Sequence, residues 1–229
     1  MAKGEGRAAS TAKLQYMLQA GTGGKKLGAS PDRRCRPTVA AAVPSPVFRF
    51  NAEAHEYFLN GSRIKSVTQL LSEAGLISDA WYDDKSAERG HQVHELCTAR
   101  DLGAIEDLRR CDSPVKGWLL AYEAFLATVR PEWTAIEEAA VSLVYRVGGR
   151  PDRVGKLWGV EAIVDIKSGA CEPWHAYQGA LYDIVLGDLP VGVRRRYGLY
   201  LARTGKFRLI EFKDRSDYDR AFEVIHRCR

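Results

Sequence analysis

Long apolar runs are missing from these 229 residues: no stretch approaches the roughly 20 apolar residues that span a bilayer, and the N-terminus lacks a signal-peptide core. Paired cysteines are missing too. The five (Cys35, Cys97, Cys111, Cys171, Cys228) are odd in number and form no Cys-x-x-Cys, which implies free thiols in a reducing compartment. A strong charge imbalance is also lacking. The net charge of +5 suits a nucleic-acid binder without requiring one. A phosphate-binding loop fails as well, because the glycine-rich stretch Gly21–Lys26 has no Ser or Thr after its Gly-Lys and no strand before it. At 45% hydrophobic and 28% charged residues, the remainder has the composition of one ordinary globular domain with appendages.

Residues 1–46 differ from the rest. They carry eight Lys/Arg against Glu5 and Asp32, among many Gly, Ala, Ser and Pro, which is the composition of a flexible basic tail. Residues 47–229 form the expected domain. Phe48–Leu59 reads as strand material before an Asn60-Gly61 hairpin turn, and Ser66 caps a short helix that ends at Gly75. A longer helix is predicted from about Asp83 past Arg100, and another over 114–129. Ala139–Val147 reads as a strand, Tyr197–Ala202 and Phe207–Phe212 as a closing hairpin, and Ser216–His226 as a final helix.

The chemistry concentrates in Gly159–Lys167, a buried-strand pattern in which alternation puts Asp165 and Lys167 on one face and Val160, Ala162, Val164 and Ile166 on the other. A hairpin centred on Trp158-Gly159 would set Asp152 across from Asp165. Two such carboxylates repel unless a cation lies between them, and hard oxygen donors favour Mg²⁺ or Mn²⁺. An Asp-x-Lys alone is more often a surface ion pair at a strand end. Downstream, Pro173 opens a helix on which Gln178 and Tyr182 share a face at i and i+4.

Gly149-Arg150-Pro151-Asp152, then Asp165-Ile166-Lys167, then Gln178-x-x-x-Tyr182 resembles the PD-(D/E)XK nuclease superfamily in its RecB-like, phage-type exonuclease branch. Upstream, Arg89-Gly90-x-x-x-His94 is similar to that branch's Arg-Gly-x-x-x-His helix, and Gly61–Leu71 to the leader hairpin and helix of phage-type members. The resemblance covers roughly residues 47–215. It implies an α/β fold whose core runs helix, three antiparallel strands, helix, strand, with an N-terminal hairpin and helices.

The same resemblance implies a metal-dependent DNA nuclease that hydrolyses phosphodiester bonds, an exonuclease in recombination or repair. An endonuclease or an inactive DNA-binding or assembly protein are the alternatives. His94, Asp152, Asp165 and the Ile166 carbonyl would hold Mg²⁺ or Mn²⁺, Lys167 would act on the attacking water, and Gln178 would steady it. A lone inward histidine is more often a core residue; the motif is what singles out His94. The family's glutamate would be Glu137 or Glu138, with Glu138 favoured and a solvated acidic pair the alternative. Tyr182 would support the helix or touch the DNA backbone, and Arg146, Arg150, Arg153, Arg194, Arg195 and Arg196 are the candidate phosphate contacts, although any one arginine is more often a solvated surface cation. Cys228 stands alone near the C-terminus, so no iron–sulfur cluster is expected. The implied partners are DNA, further copies of the chain, or a single-strand annealing protein. The implied location is cytoplasmic, that of the host if the chain is phage-encoded.

Overall fold

Short-range sequence signals set the first elements. In the computed structural model, which describes residues 45–77 and 84–228, strands β1 (Phe48–Asn51), β2 (Glu56–Leu59) and β3 (Ser62–Ser66) form an antiparallel meander. Asn60 and Gly61 both adopt positive φ (52° and 78°), the conformation a two-residue hairpin turn demands. Helix α1 (Val67–Glu73) follows at once. Ser66 accepts from the Gln69 amide and Gln69 reaches back to the Ser66 amide, a capping box that satisfies two orphan donors. The tail through residue 44 and Cys35 lie outside the described residues.

Beyond these come α2 (Asp84–Asp101), α3 (Lys116–Val129), β4 (Glu132–Ile136), β5 (Ala140–Ser142) and β6 (Val147–Gly149). Then follow β7 (Arg153–Leu157), β8 (Val160–Lys167), α4 (Trp174–Leu186), β9 (Arg195–Leu201), β10 (Phe207–Glu211) and α5 (Ser216–Cys228). The single strand expected over Ala139–Val147 is a hairpin instead. Arg146 (φ 53°) donates its amide to the Ser142 carbonyl at 2.8 Å, and the Ser142 hydroxyl takes the Tyr145 amide. Leu143 and Val144 stand exposed at its tip, so their apolar character marks no buried strand. This hairpin joins the meander in the order β1-β2-β3-β6-β5, with β6 parallel to β3.

The second sheet runs β10-β9-β8-β7-β4. Strands β4, β7 and β8 are successively antiparallel, and β9 is parallel to β8 after the α4 crossover. No sequence pattern announces β4, which takes the place given to 139–147 as first of the three antiparallel strands. The architecture is therefore mixed α/β. On one face of this sheet, α2 and α3 bury Val93, Cys97, Leu119 and Phe125 against Ala162, Val164 and Ile166. On the other, α1, α4 and α5 pack around Ile163. β8 is thus buried on both sides, which is why it reads as a near-continuous apolar run.

Candidate metal centre and its surroundings

The β7–β8 hairpin places the acids. Trp158 and Gly159 take φ of 51° and 77° at its turn, and the register Arg153↔Val164 brings Asp152 and Asp165 to one end. Asp152 Oδ2 accepts the Ile166 amide at 2.6 Å, tying the two strands where their ladder stops. Asp165 and Lys167, on the face opposite Ala162, Val164 and Ile166, form an ion pair. The ammonium also donates to Gln178 Oε1 at 2.8 Å, and Gln178 Nε2 to the Tyr182 hydroxyl at 3.2 Å, so α4 reads the strand through a three-residue relay. Lys167 Nζ lies 5.1 Å from the Trp174 ring centroid.

From the other side α2 supplies His94. Its Nδ1 lies 3.5 Å from both Asp152 Oδ1 and Glu137 Oε1. Burial lowers the imidazole pKa, but Asp152, Glu137 and Asp165 outweigh it and lift the value to about 9. His94, Glu137 and Asp152 each offer a ligand atom within 4.8 Å of the others. Asp165 falls outside that set, beside its lysine.

Glu137, rather than the favoured Glu138, is the glutamate that faces this centre. The chain leaves β4 with Glu137 at φ 51°, its amide bonded to the Asp152 carbonyl at 3.0 Å, which turns its side chain inward and leaves Glu138 exposed. No sequence signal distinguishes the two acids, because the reversal comes from β4–β7 pairing. His175 likewise carries no motif that marks it. It is buried on α4, with Nδ1 taking the Glu172 amide at 3.2 Å and lying 2.9 Å from the Tyr200 hydroxyl, and burial, reinforced by Lys167, lowers its pKa to about 3.

Three expected DNA contacts are internal struts. Arg153 is fully buried against Asp101, Thr98 and the Asp152 carbonyl. Arg194 pairs with Asp188 and Asp183, and Arg196 with Asp217 and three backbone carbonyls. A buried guanidinium needs compensating acceptors, and the groups that pair these three also keep them from solvent, although Arg194 Nε has no partner among the described residues. Tyr182 is 6% exposed and supports Gln178. Arg195 and Arg146 are exposed, and Arg150 pairs with Glu137 at 3.1 Å.

A cavity of about 720 Å³ opens over this cluster, lined among others by His94, Glu137, Asp152, Ile166, Lys167 and Arg150. The residues fit a hard divalent cation on two counts. Their donors are two carboxylates and an imidazole, and the buried Asp165 Oδ2 has no partner beyond the Lys167 ammonium. Burial first, then the neighbouring Asp152, raise the Asp165 pKa despite Lys167 and His94, a repulsion that a cation placed there would relieve.

No helix among the described residues is long and apolar enough to cross a membrane. No family model matches the sequence, and no curated protein does. A solved structure described as the crystal structure of SSO0001 is 12% identical, with a TM-score of 0.30, over 61% of this chain and 85% of that one, a likeness too slight to bear on fold or function.

Proposed function

We propose that this chain is a metal-dependent DNA nuclease with a PD-(D/E)XK core, most consistent with an exonuclease of the RecB-like, phage type. The observation that carries the reading is the convergence on one cavity of His94, Glu137, Asp152, Lys167 and Tyr182, with Asp165 and Gln178 both paired to Lys167. These groups come from α2, the end of β4, β7–β8 and α4, and separate elements seldom aim so many polar side chains at one point without a shared task. The element order α3, three antiparallel strands, α4, parallel β9 supports the same assignment.

His94, Glu137 and Asp152, with Asp165 alongside, would hold Mg²⁺ or Mn²⁺. When bound, such a cation supplies Lewis-acid stabilisation of charge on a phosphoryl oxygen. Lys167 places its ammonium at the mouth of the acidic cluster, where it orients an attacking water and offsets negative charge developing on phosphate. Gln178 fixes the lysine in that position, and Tyr182 fixes Gln178. Arg150, on the cavity wall, draws the phosphodiester in. Under this reading DNA is reached in the cytoplasm, with copies of the chain or a single-strand annealing protein as partners.

The test is degradation of linear and of closed circular DNA with Mg²⁺ or Mn²⁺, beside Asp165→Asn. Loss of linear DNA alone supports the exonuclease, loss of both an endonuclease, and loss of neither a binding protein. Asp165→Asn should abolish cleavage. The sign of its stability effect follows from the raised carboxyl pKa: the native state disfavours the charged form, so at neutral pH without metal the variant melts higher than the parent. Cleavage within a few-fold of the parent would end the site assignment.

A further inference from the structure

Next to the main cleft lies a second cavity of about 410 Å³, lined by Lys85, Glu88, Arg89, Trp118 and Arg203 among others. Arg89 lines both cavities and is the post between them. Its guanidinium carbon stands 5.4 Å from the Trp118 ring centroid, and its buried Nε has no hydrogen-bond partner among the described residues. A guanidinium is a fork of strong donors matched to phosphate, and because Arg89 lines both cavities it is the outer NH groups of that fork, not the solvent-closed Nε, that face a ligand there. Trp118 is tied to the catalytic strand. Its indole N–H donates at 3.2 Å to the carbonyl of Ser168, the residue after Lys167. Arg89 stands five residues before His94 on the same helix. Both walls of the passage are thus anchored to the residues of the metal centre.

The charges point the same way. Lys85 and Arg89 come from α2 and Arg203 from the β9–β10 turn, with no acidic partner described for any of them. The one carboxylate among these five, Glu88, is exposed and accepts from Gln92. Cations on facing walls of a concave cavity, beside an aromatic ring, suit a flexible backbone drawn between them rather than the rigid outside of a duplex.

We infer that this passage holds one single strand of DNA beside the catalytic cleft, with Arg89 clamping a phosphate, Trp118 bracing Arg89, and Lys85 and Arg203 touching the neighbouring phosphates. The inference rests on the nuclease reading for its orientation. It is tested by the anisotropy of a fluorescent oligodeoxythymidine titrated with the full chain, in EDTA, across a range of KCl. The charge-neutralised Lys85→Gln/Arg89→Gln/Arg203→Gln protein should bind at least about tenfold more weakly at low salt. Its slope of log affinity against log salt should flatten by about 2, at about 0.7 for each single-strand phosphate left without its cation. Glu88→Gln, an exposed change that spares the fold, should tighten binding about twofold.

Arg63→Gln/Lys156→Gln/Lys213→Gln removes the same charge from ion-paired positions outside the passage and should leave the slope within about 0.5 of the parent. An unchanged slope in the passage variant, an equal flattening in the control, or no tightening by Glu88→Gln would each overturn the inference. A blunt duplex that loses as much affinity as the oligodeoxythymidine would overturn the single-strand assignment. Linear DNA and Mn²⁺ separate the two readings. A parent that cleaves while the slope is unmoved loses only the passage, whereas a parent that never cleaves but shows the flattened slope loses only the nuclease.

Discussion

Glu137 and Glu138 differ by one position and by everything that matters to chemistry. A residue at φ 51° at the end of a strand turns the chain, so one carboxylate meets His94 and the other meets solvent. Glu137→Gln should lower the cleavage rate at sub-saturating Mn²⁺ by about 10- to 100-fold, the usual range for loss of a group that holds or orients a metal. Glu138→Gln should stay within about twofold, and the reverse result would restore Glu138. His175 makes a different prediction. Its native pKa of about 3 lies below its ordinary 6.5, so above pH 6.5 its contribution to stability is complete. As pH falls from there toward 3 the unfolded chain binds a proton that the native state refuses, which costs about 1.4 kcal/mol per pH unit. Denaturant melts at pH 7 and pH 5 should therefore show the parent losing about 2 kcal/mol more than His175→Asn over that interval. Parallel losses would mean that His175 is already protonated, or free to become so, in the native state.

At the scale of elements, the centre depends on how β4 lies on β7. A Cβ built on Gly155 would stand 2.1 Å from the Glu132 carbonyl oxygen, and the ladder shifts register between Trp133 and Ala135. Backbone cannot yield as a side-chain tip can, so Gly155→Ala should push β4 off and cost about 2 kcal/mol or more. Because β4 runs directly into Glu137, metal affinity should fall with stability. Gly169 has nothing within 4 Å of a built Cβ, and Gly169→Ala should fall within about 0.5 kcal/mol of the parent. Comparable urea midpoints for the two variants would show that β4 is free to move.

For the whole molecule, the described residues lie within one compact unit, Pro44–Arg229, that carries every side chain of the proposed centre. Residues 1–44 contain eight Lys/Arg and two acids. Deleting them should leave the melting temperature of the remainder unchanged. It should also weaken DNA binding at low salt and flatten the salt dependence by close to one log unit for each duplex phosphate that the segment neutralises. An unaltered slope would make the segment a passive extension, and a collapsed melt would show that the domain needs it.

Local rules sufficed for much of this protein. The Asn60-Gly61 turn, the Ser66–Gln69 capping box and the Trp158-Gly159 hairpin each follow from residues a few positions apart. So does the shared face of Asp165 and Lys167, since strand alternation has a period of two. Tertiary structure decided the rest. Arg153, Arg194 and Arg196 look like surface cations in the sequence, and only their distant partners Asp101, Asp183 and Asp217 reveal them as buried struts. β4 and the split of 139–147 into a hairpin depend on pairing with β7 and β3, strands remote in sequence. The identity of the glutamate followed from that pairing. Charge and apolarity are properties of a residue, but burial and partnership belong to the packed chain, and no short-range pattern encodes them.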